Sequence, residues 1–279
     1  MPAEPACGVT YDSARAASIV GDARMVWERR DVVGLLIRRE LHVRYRRSLL
    51  GVWWTLLAPM LEMAVLWAVF SQLFRFSTDG APYVVYLLAG LIIAALVRNT
   101  ILGVGSVLGA NGALLARIRV APQLFALAKA AEMLIAFTVS LVPLILIMII
   151  VGPGVSLWMP LLVVPAILAT VFALGLGLLV APVAVRFPDA IVLLGILLTL
   201  VIYLAPVIYP LEIVPTDYRW IVEINPLTCY VDSFRAALYE QSLGTPADIA
   251  GMIGYGAASL VAGAAVFTKL RQSSQIHLA

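Results

Sequence analysis

The chain has 279 residues, 62% of them hydrophobic and 13% charged, with a formal net charge of +3 and a mean hydropathy of +1.00. An ordinary globular chain carries about 25% charged residues, so a soluble single domain is excluded. Disorder is excluded too, because this much apolar surface does not stay solvated and the small charge adds little self-repulsion.

What remains is an integral membrane protein, and the placement of its basic residues matters more than the pI near 9.0. Nine of the nineteen precede residue 51, and seventeen are arginine. Cys7 and Cys229 lie far apart without a C-x-x-C, and His42 and His277 are the only histidines. Neither a disulfide nor a metal site is indicated, and the usual Ser/His and Cys/His nucleophile pairs lack their histidine.

The first fifty residues are mostly polar, too long and too arginine-rich for the n-region of a cleaved leader, so they are expected to be retained. Within them Asp31–Leu50 sets Val33, Leu36, Ile37, Leu41 and Tyr45 at helical spacing, with Arg38, Arg39, Arg44, Arg46 and Arg47 mostly between them. That pattern predicts an amphipathic helix lying in the membrane interface. Its arginines would meet anionic lipid at about 1 kcal/mol each, either as a topological anchor or as a place where a charged lipid is received.

Apolar runs long enough to cross a bilayer follow at 51–74, 83–105, 124–151, 159–181, 190–210 and 248–268. The stretch 106–123 is too polar and glycine-rich to span. Six spans put both termini on one side, where the loops and tails hold 14 Lys and Arg against 3 on the other, so both termini are expected in the cytoplasm. The plan is an all-α polytopic membrane protein: a cytoplasmic segment 1–50, a transmembrane domain 51–268 and a tail 269–279.

Two charges fall inside predicted spans, Glu62 and Arg98. An unpaired Arg at the bilayer centre costs about 2.5–3.5 kcal/mol on insertion scales, and the depths of the two differ by roughly 6 Å at 1.5 Å per residue. Three arrangements answer that penalty: a pair with each other, a water-filled path, or a contact with a second subunit. Aromatics gather near the span ends, from Trp53 and Trp54 to Tyr203, Tyr209, Tyr218, Trp220 and Tyr230. They read first as an interface belt; Tyr203 and Tyr209 are the candidates for lining a conduit, because ring faces hold apolar faces without fixing one pose.

Three motifs sharpen this outline. Arg44-Tyr45, Ser48, Leu50-Gly51, Trp54 and Pro59 form the first; Asn111, Leu114, Leu115 and Pro122 the second; Ala205-Pro206-Val207-Ile208-Tyr209-Pro210, Val214-Pro215, Asn225-Pro226-Leu227 and Phe234-Arg235 the third. Together they resemble the ABC-2-type permease subunits of polysaccharide exporters over roughly residues 28–240. Val120-Ala121 before Pro122, and Arg186-Phe187-Pro188-Asp189 in place of an adjacent Arg-Asp, depart from the family pattern.

The resemblance implies that the loop carrying Asn111, Leu114, Leu115, Arg117, Arg119 and Pro122 docks on an ATPase subunit and couples it to the membrane. It implies re-entrant helices on the outer face after the fifth span, a homodimer with the channel between two copies, and a lipid-linked polysaccharide as cargo. An O-antigen, teichoic acid, capsule or cell-wall galactan precursor would fit, the arginine-heavy composition leaning toward the galactan. Arg44, Tyr45, Arg46, Arg47 and Trp54 are then the residues where the lipid carrier would come in, its pyrophosphate drawn by the arginines.

No G-x-x-x-x-G-K-[ST] occurs, and neither Lys129 nor Lys269 follows a glycine loop, so ATP and its magnesium are expected on two copies of a separate subunit. This chain is expected to bind no cofactor. Two rivals share some of these features: a permease of the same type for a drug or small lipid, and a membrane transferase acting on a polyprenyl carrier. The transferase needs clustered carboxylates at the membrane surface, whereas the cytoplasmic loops after residue 50 offer Asp189 alone, with Glu132 near the start of the third span.

Overall fold

A computed structural model of the chain describes residues 30–46, 51–73, 81–115, 121–151, 154 and 156–274. Every regular element among them is helical. They begin with α1 (Arg30–Arg46), α2 (Trp53–Leu73), α3 (Tyr83–Ala110), the single turn α4 (Gly112–Leu115) and α5 (Pro122–Val151). After these come α6 (Val163–Arg186, entered through a 3-10 turn), α7 (Asp189–Leu204), the short α8 (Arg219–Glu223), α9 (Pro226–Arg235) and α10 (Pro246–Ser274).

Among the described residues five helices are long and apolar enough to cross a membrane: Trp53–Phe70, Tyr83–Ala110, Pro122–Val151, Met159–Arg186 and Pro246–Lys269. They match five of the six expected runs. The run expected at 190–210 is the exception, since α7 stops at Leu204. A residue before proline is pushed out of the helical region, and Ala205, which precedes Pro206, is extended at φ −85° and ψ 154°. Sixteen residues of helix rise about 24 Å, short of the roughly 30 Å hydrocarbon layer.

The centre of the molecule is α3. Its first five turns are buried almost all round, from Val85 and Leu87 through Ile93 to Ile101, and such a helix must be enclosed by others. It is covered by α6 and α5, with α9 across one end, and α10 lies along the other side of α6. Backbones there approach closely: a Cβ built on Gly175 of α6 would overlap the Ser259 backbone of α10, and one on Gly263 would overlap Gly175 itself.

By contrast α2 is loosely held. Met63 is its one buried residue among those described, while Trp53, Trp54, Leu61, Val65 and Trp67 are exposed. At one end of the bundle, α1 lays Leu36 into a second apolar cluster with Val107, Leu124, Phe125 and Phe267.

Candidate functional site

At the α1 end of the bundle a group of charges surrounds one buried carboxylate. Glu132 of α5 is fully buried, and Arg44 of α1 donates to its Oε1 at 2.6 Å. Lys129, one turn earlier on α5, places Nζ 2.9 Å from the other carboxylate oxygen and 3.2 Å from Glu40 of α1. Arg39 then reaches the side-chain oxygen of Asn111 at 2.8 Å. Two glutamates and two cations thus neutralise one another, and Arg39 ties the same helix to the loop after α3.

This arrangement adds an internal partner to what was expected of α1. Arg44 is held by a buried carboxylate while staying partly exposed; Arg46 is exposed. Arg47 lies outside the described residues, as do Arg117 and Arg119 of the expected docking loop. Tyr45 stands in the last turn of α1. Asn111 is buried and ends α3, its side-chain amide donating to Val107 O at 3.0 Å. Leu114 and Leu115 pack against the second apolar cluster, and Pro122 is the first residue of α5.

Next to this cluster a cavity of about 580 Å³ runs between α2, α3, α5 and α7. Arg44, Trp54, Glu62, Arg98 and Tyr203, all candidates from sequence, are among its walls, with Gly51 and Pro59 of the first motif and Asn99. Glu62 and Arg98 both line it and form no ion pair with each other, the first of the three arrangements considered. The Nε of Arg98 is buried with no hydrogen-bond partner, and Glu62 is exposed. A second, more open groove of about 500 Å³ shares Arg44, Asn99 and Met133 with the cavity and continues past Glu40 and Lys129.

The opposite end is organised by one side chain. Arg235, the last residue of α9, is only 3% exposed and, among the described residues, has no carboxylate on its guanidinium. It donates instead to Pro206 O at 2.6 Å, Val207 O at 2.8 Å and Tyr86 O at 3.0 Å, with the Tyr86 ring centre 3.3 Å from its central carbon. Tyr86 closes the same turn by donating to Pro206 O and Tyr209 O, both at 3.0 Å, and Tyr83 donates to Ile208 O at 2.8 Å. Gly90 makes the approach possible: a Cβ there would stand 2.6 Å from an Arg235 nitrogen.

The Pro206–Pro210 turn is therefore clamped to α3. It sets the half-buried Tyr209 so that its hydroxyl donates to Tyr203 O and Leu204 O at 3.3 Å each, while the Tyr203 ring stays 59% exposed. Asn225 caps α9 by accepting from Leu227 N at 3.0 Å and donates to Val201 O at 2.8 Å. Asp232, one turn before Arg235, has its carboxyl pushed up to about 7 from 3.8 by burial; Arg235 opposes that shift, and Asp248, Glu240 and Glu212 add to it.

The buried ion cluster is what the sequence reading missed. Its one local signal was Lys129 and Glu132 at i,i+3 inside an otherwise apolar helix, a spacing that puts two charges on one face. Arg235 was noted only as part of a motif.

The ABC-2 type transporter family profile matches residues 31–239. The chain is 27% identical over 255 residues to the O-antigen export system permease protein RfbA of Myxococcus xanthus, covering 89% of this chain and 96% of that protein. It is 22% identical over 210 residues to the RfbA of Klebsiella pneumoniae, 74% of this chain and 79% of that one. To the polysialic acid transport protein KpsM of Escherichia coli it is 27% identical over 210 residues, 74% and 80% of the respective chains.

Proposed function

This chain belongs to the ABC-2 type transporter family, and we propose that it is the permease subunit through which a lipid-linked polysaccharide leaves the cytoplasm. The carrying observation is joint: a family match over most of the chain, and relatives matched over three quarters or more of their length whose names describe O-antigen export or polysialic acid transport. It is a transporter component and not an enzyme.

In the proposed arrangement α7 completes a sixth crossing together with the clamped Pro206–Pro210 turn, which puts both termini in the cytoplasm. The helix α1 lies in the inner interface, and the segment after α7 forms re-entrant helices at the outer face. Irregular backbone at membrane depth is tolerated where it is buried in protein or lines a wet cavity, and the carbonyls of Pro206 and Val207 are buried against Arg235. Two copies form the channel. Two ATPase subunits, holding ATP and magnesium, dock on the loop from Asn111 to Pro122.

Closure of the ATPase pair then has a physical path inward. Asn111 is bonded to Arg39, Arg39 shares α1 with Glu40 and Arg44, and Arg44 both pairs with Glu132 and lines the cavity. Movement of the loop would shift α1 as a unit, and with it one wall of the cavity. Tyr203 and Tyr209 lie further along as conduit residues.

The test is depletion of this chain in its native host, with lipid-linked glycans analysed on each side of the membrane. Accumulation of a complete polymer inside is expected, and its sugars name the cargo; a cell-wall galactan precursor is the first candidate. An unfinished glycan accumulating while finished polymer is still exported would overturn the proposal in favour of a transferase.

A further inference from the structure

We propose that Arg98 is the ligand, at membrane depth, for the diphosphate group of a polyprenyl carrier, and that Arg44 gates its approach. The inference rests on the export function above and adds to it a binding site and the chemical group bound.

The first argument is the state of Arg98 itself. Arg44 and Arg235 have their acceptors, a carboxylate for the one and three carbonyls for the other. Arg98 is half-buried, has a buried Nε without an acceptor, and lines the 580 Å³ cavity. A planar fork of N–H donors in a low-dielectric pocket matches the oxygens of phosphate better than any neutral group.

The second argument is charge balance. Glu40, Lys129, Glu132 and Arg44 form ion pairs with one another at the cavity's edge. Within the cavity that leaves Arg98 and Glu62, and Glu62 stands exposed on the loosely packed α2 with no ion pair to Arg98. Among the described residues lining the cavity, Arg98 is the cation whose charge no carboxylate contact uses.

The third argument is access. The outer groove, walled by Glu40, Lys129 and Asn99, joins the cavity at Arg44. An anion moving along it meets Arg44 first and competes with Glu132 for that guanidinium, which Lys129 allows by staying 2.9 Å from the glutamate. It then passes to Arg98. Apolar stretches of α3, α5 and α7 complete the walls, as the first units of an isoprenoid require, while the rest of the tail can leave past the sparsely packed α2.

The experiment uses the full chain in nanodiscs of neutral phosphatidylcholine, with labelled farnesyl diphosphate as probe, farnesol as its uncharged control and inorganic pyrophosphate as competitor. Wild-type protein should bind the diphosphate, and pyrophosphate should displace it. Arg98→Gln should weaken diphosphate binding roughly tenfold to hundredfold, the loss of a charge-assisted contact, with farnesol unaffected and Arg98→Lys retaining part of the affinity.

Equal affinity in wild type and Arg98→Gln overturns the assignment. So does a loss shared equally by farnesol. If Arg98→Gln is not monodisperse, the wild-type competition decides alone, and failure of pyrophosphate to displace the probe overturns the proposal. Repeating the measurement with phosphatidylglycerol in the disc separates sources: displacement of the probe by that lipid assigns the site to phospholipid headgroups and overturns the carrier. Glycan accumulation on depletion is scored independently, so the site can fail while export stands, and the reverse.

Discussion

The two ends of this molecule each hold an arginine, one buried and one partly exposed, and they satisfy it in opposite ways. Arg235 is held by backbone carbonyls of Tyr86, Pro206 and Val207 and by the Tyr86 ring; Arg44 is held by the carboxylate of Glu132. Carbonyls belong to the backbone, so the first arrangement fixes a turn in space and cannot be dissolved without moving the chain. A carboxylate sits on a rotatable side chain and is matched by a second cation, Lys129. The first is a frame; the second can exchange partners without unfolding anything.

If that contrast is right, Arg235→Ala has the largest effect. It removes several charge-assisted bonds and a ring contact, leaving Val207 O buried without its donor, a loss on the order of 3 kcal/mol. The check is a thermal melt in nanodiscs, where a clear fall in Tm is expected together with protease cleavage near the Pro206–Pro210 turn. Arg235→Lys should recover only part, since one ammonium cannot span three carbonyls. Gly90→Ala should repeat the symptom in smaller measure by pushing the guanidinium away.

Glu132→Gln should rank second, at about 2 kcal/mol. Breaking a buried pair costs about 3–5 kcal/mol when the remaining charge is fully enclosed, but Arg44 and Lys129 are 28% and 21% exposed and regain some solvation. A double-mutant cycle with Arg44→Gln, read by the same melt, should show a coupling above about 0.5 kcal/mol. Strict additivity would mean that the two groups do not interact in the folded protein.

The difference between the ends also explains what could be read from sequence. Five of the six expected spans correspond to helices of crossing length, because runs of about 20 apolar residues have few other uses. The remaining expected run, 190–210, reaches six residues past the end of α7, as Val201–Leu204 and Val207–Tyr209 are both apolar and Pro206 marks the break between them. Arg44 and Glu132 are 88 residues apart, and no periodicity connects them. Arg235 stood in plain view within its motif, yet its partners are main-chain oxygens, which carry no residue identity. Glu62 and Arg98 were brought together correctly as occupants of one region, whereas their pairing depended on side-chain directions that spacing along two helices does not set.

A pH dependence should separate the carbonyl-held end further. Asp232 has its carboxyl raised to about 7 from 3.8, so the folded protein binds its proton more tightly than the unfolded chain does. Stability from this group is therefore full at low pH and is lost as pH rises through 7. Wild type should melt lower at pH 8 than at pH 6, and Asp232→Asn, uncharged throughout, should flatten that slope. An unchanged slope in the variant would place the titrating group elsewhere.

The smallest effect should come from Lys129→Gln. Its ammonium is shared between Glu40 and Glu132 at 3.2 and 2.9 Å, but each glutamate keeps another cation: Arg39 on Glu40 at 3.2 Å and Arg44 on Glu132 at 2.6 Å. Neither carboxylate is left alone, so the loss should stay near 1 kcal/mol or below, the range of partly exposed pairs. What the substitution should alter is exchange. With Lys129 gone, Glu132 depends on Arg44 alone, and Arg44 becomes harder to draw toward an incoming anion. Lys129→Gln should therefore leave the melt nearly unmoved yet slow diphosphate binding. A variant that lost stability as heavily as Glu132→Gln would show Lys129 to be the principal partner, and the exchangeable cation would then have to be sought on α5 and not on α1.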